Sequence, residues 1–159
     1  MKRVLLVLSA LAVLGSGLFV SVTAQDAPTP QQRAEAAVEM RQGLFRLLRF
    51  NLGPIAAMAQ GAPFDAAIAE RNARRIAVIA TMIPEVLAED TRGFTVTTAA
   101  RPIVWDNMDD IRSKAQTLID NANAFADIAA GGNMGQTLGA FRTLGGSCGN
   151  CHDTYRDDD

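Results

Sequence analysis

The sequence predicts an all-α protein, an antiparallel bundle of four helices behind a short leader. Beyond residue 30 the chain is dominated by alanine, leucine, methionine, glutamate and arginine, which lose little on entering a helix. Apolar side chains recur there at spacings of three and four, and two-residue alternation is confined to "FTVTT" at 94–98. Most connections between the periodic stretches are short, which sets consecutive helices side by side and antiparallel.

The leader comes first. Met1, Lys2 and Arg3 give a basic start, residues 4–20 form an apolar run, and Val22 and Ala24 supply small residues for cleavage. That order is a secretory signal peptide, 1–24, cut after Ala24. The run falls short of the ~20 residues a spanning helix needs, so no membrane association is expected after cleavage. Residues 25–159 then form one domain of 135 residues.

The first helix is expected over about 31–60, with Ala37, Arg41, Leu44/Phe45, Leu48, Leu52, Ile55 and Ala59 on one stripe. Gly53-Pro54 should kink it, because proline removes a helix hydrogen bond. "QGAP" at 60–63 ends it, and Pro63 is placed to begin the next helix. The second helix covers about 64–88, with Ile68, Asn72, Ile76, Ile79, Ile83 and Val86 on its stripe and Pro84 able to end it early. Residues 89–101 make the longest connection.

The third helix, 102–130, is the most regular. Val104, Met108, Ile111, Ala115, Leu118, Ala122, Phe125 and Ala129 alternate steps of four and three, the seam of long helices crossing at a shallow angle. "GGN" at 131–133 breaks it. The fourth helix runs from 134 to about 156, with Met134, Leu138, Phe141, Gly145, Cys148, Cys151/His152 and Tyr155 on one stripe.

The mature chain has 13 basic against 17 acidic side chains, a net charge of −4, and Lys114 is its only lysine. No basic patch with interleaved aromatics occurs, so nucleic acid is not an expected partner. Chemistry concentrates instead in Cys148-Gly149-Asn150-Cys151-His152, which holds both cysteines and the only histidine. On a helix, residues three and four apart share a face, so Cys148 lies beside both Cys151 and His152. Two thiols one turn apart can add to the two vinyl groups of a porphyrin, leaving the histidine Nε2 to bind the iron. A structural zinc site wants four ligands and this motif offers three. A thioredoxin-type dithiol wants a strand leading into its helix. A plain disulfide leaves His152 without a role. Covalent haem c is therefore the expected cofactor. Such attachment suits an exported protein of the bacterial periplasm.

His152 leaves the opposite coordination position open, and only seven residues follow it, none of them methionine. A sixth ligand would have to come from upstream, where the mature methionines are Met40, Met58, Met82, Met108 and Met134.

The terminal "CHDTYR", "ARPIVWDNMDD" at the start of the third helix, "APFDAA" after the first and "RQGLF" within it resemble cytochrome c′, class II of the c-type cytochromes, over about 34–156. The resemblance implies an up-down-up-down bundle, of which cytochrome c′ is itself a standard example. It also implies that Arg41 lies near a haem propionate, that Gln42 contacts the haem edge, and that Phe45 faces the iron. A methionine at that last position would give a six-coordinate, low-spin protein like cytochrome c-556, a dedicated electron carrier. Phenylalanine cannot ligate iron, so a five-coordinate, high-spin haem with Phe45 as its distal lid is implied. Such a haem binds small neutral gases, nitric oxide and carbon monoxide, and exchanges electrons.

On the other face, Arg156 is expected one turn beyond His152, close to the proximal ligand. Where some family members carry an acidic residue before the third helix, this chain has "TTAARP" at 97–102, and nothing is carried over there. The resemblance further implies a homodimer through the first two helices and a redox partner protein. No enzyme is expected, since no acid–base pair or second histidine is available to work on a substrate.

Overall fold

The computed structural model describes residues 27–157. The expected leader, 1–24, and its cleavage point lie outside these residues. Helix α1 spans Pro30–Ala59. Its start is a reciprocal cap: the Thr29 hydroxyl accepts the Gln32 N–H at 3.2 Å, and the Gln32 side chain accepts the Thr29 N–H at 2.8 Å. Pro54 sits inside α1 without ending it.

Helix α2 spans Ala66–Ala80 and begins later than Pro63 suggests. The Asp65 carboxylate accepts the Ile68 N–H at 2.9 Å. A side-chain acceptor at the cap, two residues on, fixes the start more firmly than the preset φ of proline. A single further turn, α3, covers Ile83–Val86. The expected third helix is split. Pro102–Val104 form a 3-10 turn, and α4 runs over Met108–Ala130. The interruption accompanies Trp105, whose indole N–H donates to the carbonyls of Leu87 and Glu89, both at 3.0 Å. Asn133 caps α5, Met134–Tyr155, by accepting the Gln136 N–H.

The long helices α1, α2, α4 and α5 make the antiparallel four-helix bundle, and no strand occurs among the described residues. The seam read from the sequence is the core face of α4. Val104, Ile111, Ala115, Leu118, Ala122, Phe125 and Ala129 are buried, and Met108 is half-buried. Alanines at four of the positions where α2 and α4 are buried (Ala73, Ala77, Ala115 and Ala122) let these backbones approach, and this pair packs most extensively. Helix α4 also packs broadly on α5, and α1 on α2. By contrast, α1 and α5 touch only sparsely.

Among the described residues, no helix is long and apolar enough to cross a membrane.

Candidate haem-attachment site

Helix α5 carries two stripes with different surroundings. Thr137, Leu144, Ser147 and Tyr155 are buried. The neighbouring stripe, Leu138, Phe141, Gly145, Cys148, Cys151 and His152, is only half-buried along its length. Polar contacts hold the first stripe against α4. Asn121 donates to the Ser147 hydroxyl at 2.8 Å, and the Tyr155 hydroxyl donates to Asp110 Oδ2 at 2.7 Å. With that side fixed, the cysteine-bearing side is left for something other than α4.

The facing helix shows the same split. On α1, Ala34, Val38, Leu44, Ile55 and Met58 are buried, whereas Phe45, Leu48 and Leu52 pack on the core but stay half-buried. Two apolar half-covered stripes therefore border the sparse α1–α5 boundary. Three glycines of α5 add room: apart from the helix's own adjoining backbone and the neighbouring residues, nothing lies within 4 Å of a Cβ built at Gly145, Gly146 or Gly149.

Cys148 and Cys151 are unpaired and half-buried, and burial pushes both thiols up from the ordinary value. Burial, followed by the Arg156 charge, pulls the His152 imidazole below its ordinary value, favouring the neutral form that ligates metals. No group of three or more histidine, cysteine or acidic side chains converges on a metal-sized site among the described residues.

Arg41 is 3% exposed. Its Nη1 donates to Thr98 Oγ1 at 3.2 Å, Nη2 to the Glu89 carbonyl and Nε to the Val86 carbonyl, both at 3.4 Å. The guanidinium also lies over the Trp105 ring. No described carboxylate forms an ion pair with it, and burial lowers its pKa. A buried cation surrounded only by neutral acceptors retains a strong demand for an anion. A carboxylate of a bound group, such as a haem propionate, would meet that demand. Gln42 is exposed, and its Nε2 donates to the Thr97 carbonyl at 3.4 Å.

Arg156 departs from expectation in one respect. It lies just past α5 rather than within it, in extended backbone paired with Ala100. Its charge still bears on His152. The segment 97–101 proves more important than the sequence suggested. It receives Arg41 and Gln42 from α1 and, through Arg101, grips the end of α5. The only sequence signal for this was the departure at "TTAARP", which named the place but not the role.

A bundle whose last helix presents Cys-x-x-Cys-His beside a half-covered apolar seam defines a class: helical-bundle cytochromes of the c type. The family model described as cytochrome C′ matches residues 36–156. Cytochrome c′ from Cereibacter sphaeroides is 34% identical over 163 residues, covering 98% of this chain and 98% of the relative. Cytochrome c prime from Shewanella frigidimarina superposes with a TM-score of 0.71 at 32% identity, covering 79% of this chain and 97% of the other. A ferrous variant of cytochrome c prime from Alcaligenes xylosoxidans, solved with bound NO, superposes with a TM-score of 0.68 at 27% identity over 79% and 97% of the two chains. The chain belongs to the cytochrome c′ family, and it carries one covalently attached haem c.

Proposed function

We propose that this is an exported, periplasmic haem protein with five-coordinate, high-spin iron that binds nitric oxide and carbon monoxide and exchanges electrons. The residues before 25 serve as its cleaved signal. When bound, the haem supplies a redox-active iron with one open coordination position.

The chain's own residues divide the remaining work. Cys148 and Cys151 hold the porphyrin as thioethers. His152 supplies the proximal nitrogen, with the Arg156 charge beside it. Arg41 sets a cation against a propionate, and Gln42 lies at the haem edge. Phe45 closes the distal side with an apolar ring that keeps water from the open position. A charged or strongly polar ligand loses its hydration on reaching such a wall without gaining a hydrogen bond, whereas a neutral diatomic loses little. The family likeness to the NO-bound Alcaligenes xylosoxidans protein supports this ligand class.

The observation that carries the reading is the residue on the half-buried α1 stripe. Phe45 stands there, with Leu48 and Leu52, and none of the three has a ligating atom. The two methionines of α1 stand elsewhere. Met40 is 66% exposed and Met58 is 6% exposed within the core, so neither shares the half-covered seam. Absorption spectra of the purified ferric and ferrous protein test the reading. High-spin spectra in both states are expected. A low-spin spectrum with sharp reduced bands or a methionine-to-iron charge-transfer band would instead establish the six-coordinate, c-556-like electron carrier.

A homodimer through α1 and α2 belongs to the same reading. Met40, Leu47 and Phe50 of α1 and Val78 of α2 are exposed apolar side chains on these two helices, and such a patch marks an interaction surface.

A further inference from the structure

The last turn of any α-helix leaves its final carbonyls without intrahelical donors. In α5 those carbonyls belong to His152, Asp153, Thr154 and Tyr155, the turn that carries the histidine. The first is taken by the Arg156 N–H at 3.0 Å. The other three are all taken by one residue from outside the helix, Arg101. Its backbone N–H donates to the Tyr155 carbonyl at 3.0 Å. Its Nη1 donates to the Asp153 carbonyl at 3.1 Å and the Thr154 carbonyl at 3.3 Å.

The same guanidinium is held from the far side. Arg101 Nε donates to Asp157 Oδ1 at 2.9 Å, and the Asp157 N–H returns to the Ala99 carbonyl at 2.8 Å. Residues 99–101 and 155–157 thus form a short strap closed at both ends, centred on the pairing of Ala100 with Arg156. A cation at a helix C-terminus also opposes the negative end of the helix dipole. Lysine could offer the charge but not the fork that spans two carbonyls and a carboxylate.

We propose that Arg101 is a positioning residue for the proximal ligand, fixing the backbone of the turn from which His152 reaches the iron. The proposal rests on His152 being that ligand. It goes beyond the distal and propionate contacts, because Arg101 acts from the proximal end and through main-chain carbonyls.

The test is resonance Raman spectroscopy of the ferrous holo-protein, reading the iron–imidazole stretching band, alongside thermal unfolding. Arg101→Ala keeps the backbone N–H bond but removes the three side-chain bonds. The expected result is a shifted and broadened band, reporting several histidine orientations in place of one. Arg74→Ala serves as the comparison, since it removes an ion pair between α2 and α4 (Arg74 to Asp127 at 2.6 Å) remote from this turn. It should leave the band in place. Should Arg101→Ala yield no holo-protein, Arg101→Gln, which retains one donor, is read in the same way. An unchanged band in the folded Arg101 variant, whatever its melting temperature, overturns the proposal while leaving His152 as the ligand. Absence of the band from the unsubstituted protein overturns the His152 assignment and the proposal together.

Discussion

The guanidinium carbon of Arg41 lies 5.3 Å from the centre of the Trp105 ring, and that of Arg92 lies 5.8 Å from the same centre. The indole is thus flanked by two cations that differ in their surroundings. Arg92 is exposed and paired with Asp90 and Asp106, which raise its pKa. Arg41 is buried and has no acid among the described residues. Trp105 and the carbonyls it binds hold Arg41 in place, but they do not neutralise it.

A charge in that position should act on the iron. A nearby cation disfavours the extra positive charge of the ferric state, so Arg41→Gln should lower the reduction potential. The size follows from Coulomb repulsion through a partly screened interior and amounts to tens of millivolts. A potentiometric titration of the two holo-proteins measures it. An unchanged potential would mean that Arg41 serves the 86–98 segment alone.

Phe45 makes the distal prediction. Phe45→Ala should speed carbon monoxide binding to the ferrous protein, measured by stopped flow, because the ring no longer has to move aside. Phe45→Met should convert part of the protein to a low-spin spectrum by offering a thioether where no ligand stood.

The Tyr155 hydroxyl, donating to Asp110, predicts a pH dependence. Burial first, and then the Asp110 carboxylate, push this phenol from 10 up to about 12. The folded state therefore holds the proton more tightly than the unfolded state. Its contribution to stability is complete below pH 10 and declines as the pH rises towards 12, by on the order of 1 kcal/mol. Urea melts across that range should show the decline, and Tyr155→Phe should flatten this component while lowering stability at neutral pH.

The exposed face of α1 predicts the assembly state. Phe50 is 71% exposed and Leu47 is 54% exposed. Leu47→Asp with Phe50→Asp should produce a monomer by sedimentation velocity, with an unaltered absorption spectrum. A monomeric unsubstituted protein would remove the dimer from the reading.

The bundle was legible in the sequence where its determinants are local. The α4 seam could be counted residue by residue, because its members from Met108 to Ala129 lie along one face of one helix, with Val104 joining them from the 3-10 turn before it. Cys148, Cys151 and His152 share one half-buried stripe of α5 for the same reason, since their relation is set by helix geometry alone. Two boundaries were misplaced where a side chain outranked proline or drew the backbone away, as Asp65 does at the start of α2 and Trp105 does before α4. The strap was not legible. Arg101 and Asp153 are 52 residues apart, and nothing in the spacing of either marks the other as its partner. The α5 stripe shows a subtler effect. Its expected stripe divides in the structure: Met134 is exposed, Tyr155 is buried against α4, and the members between them are half-buried, because hydrophobic period alone does not say which side of a helix a neighbouring helix covers.

That half-covered stripe has a bearing on how the molecule is made. The pairing of α2 with α4 is closed by protein on both sides and needs nothing added. The boundary between α1 and α5 is not, since Phe45, Leu48, Leu52, Leu138 and Phe141 find only part of their cover in the chain itself. Helices α1 and α5 are each held by an inner partner, α2 and α4 respectively, so the boundary between the first and last helices is the one part of the bundle that the chain's own packing leaves to be completed.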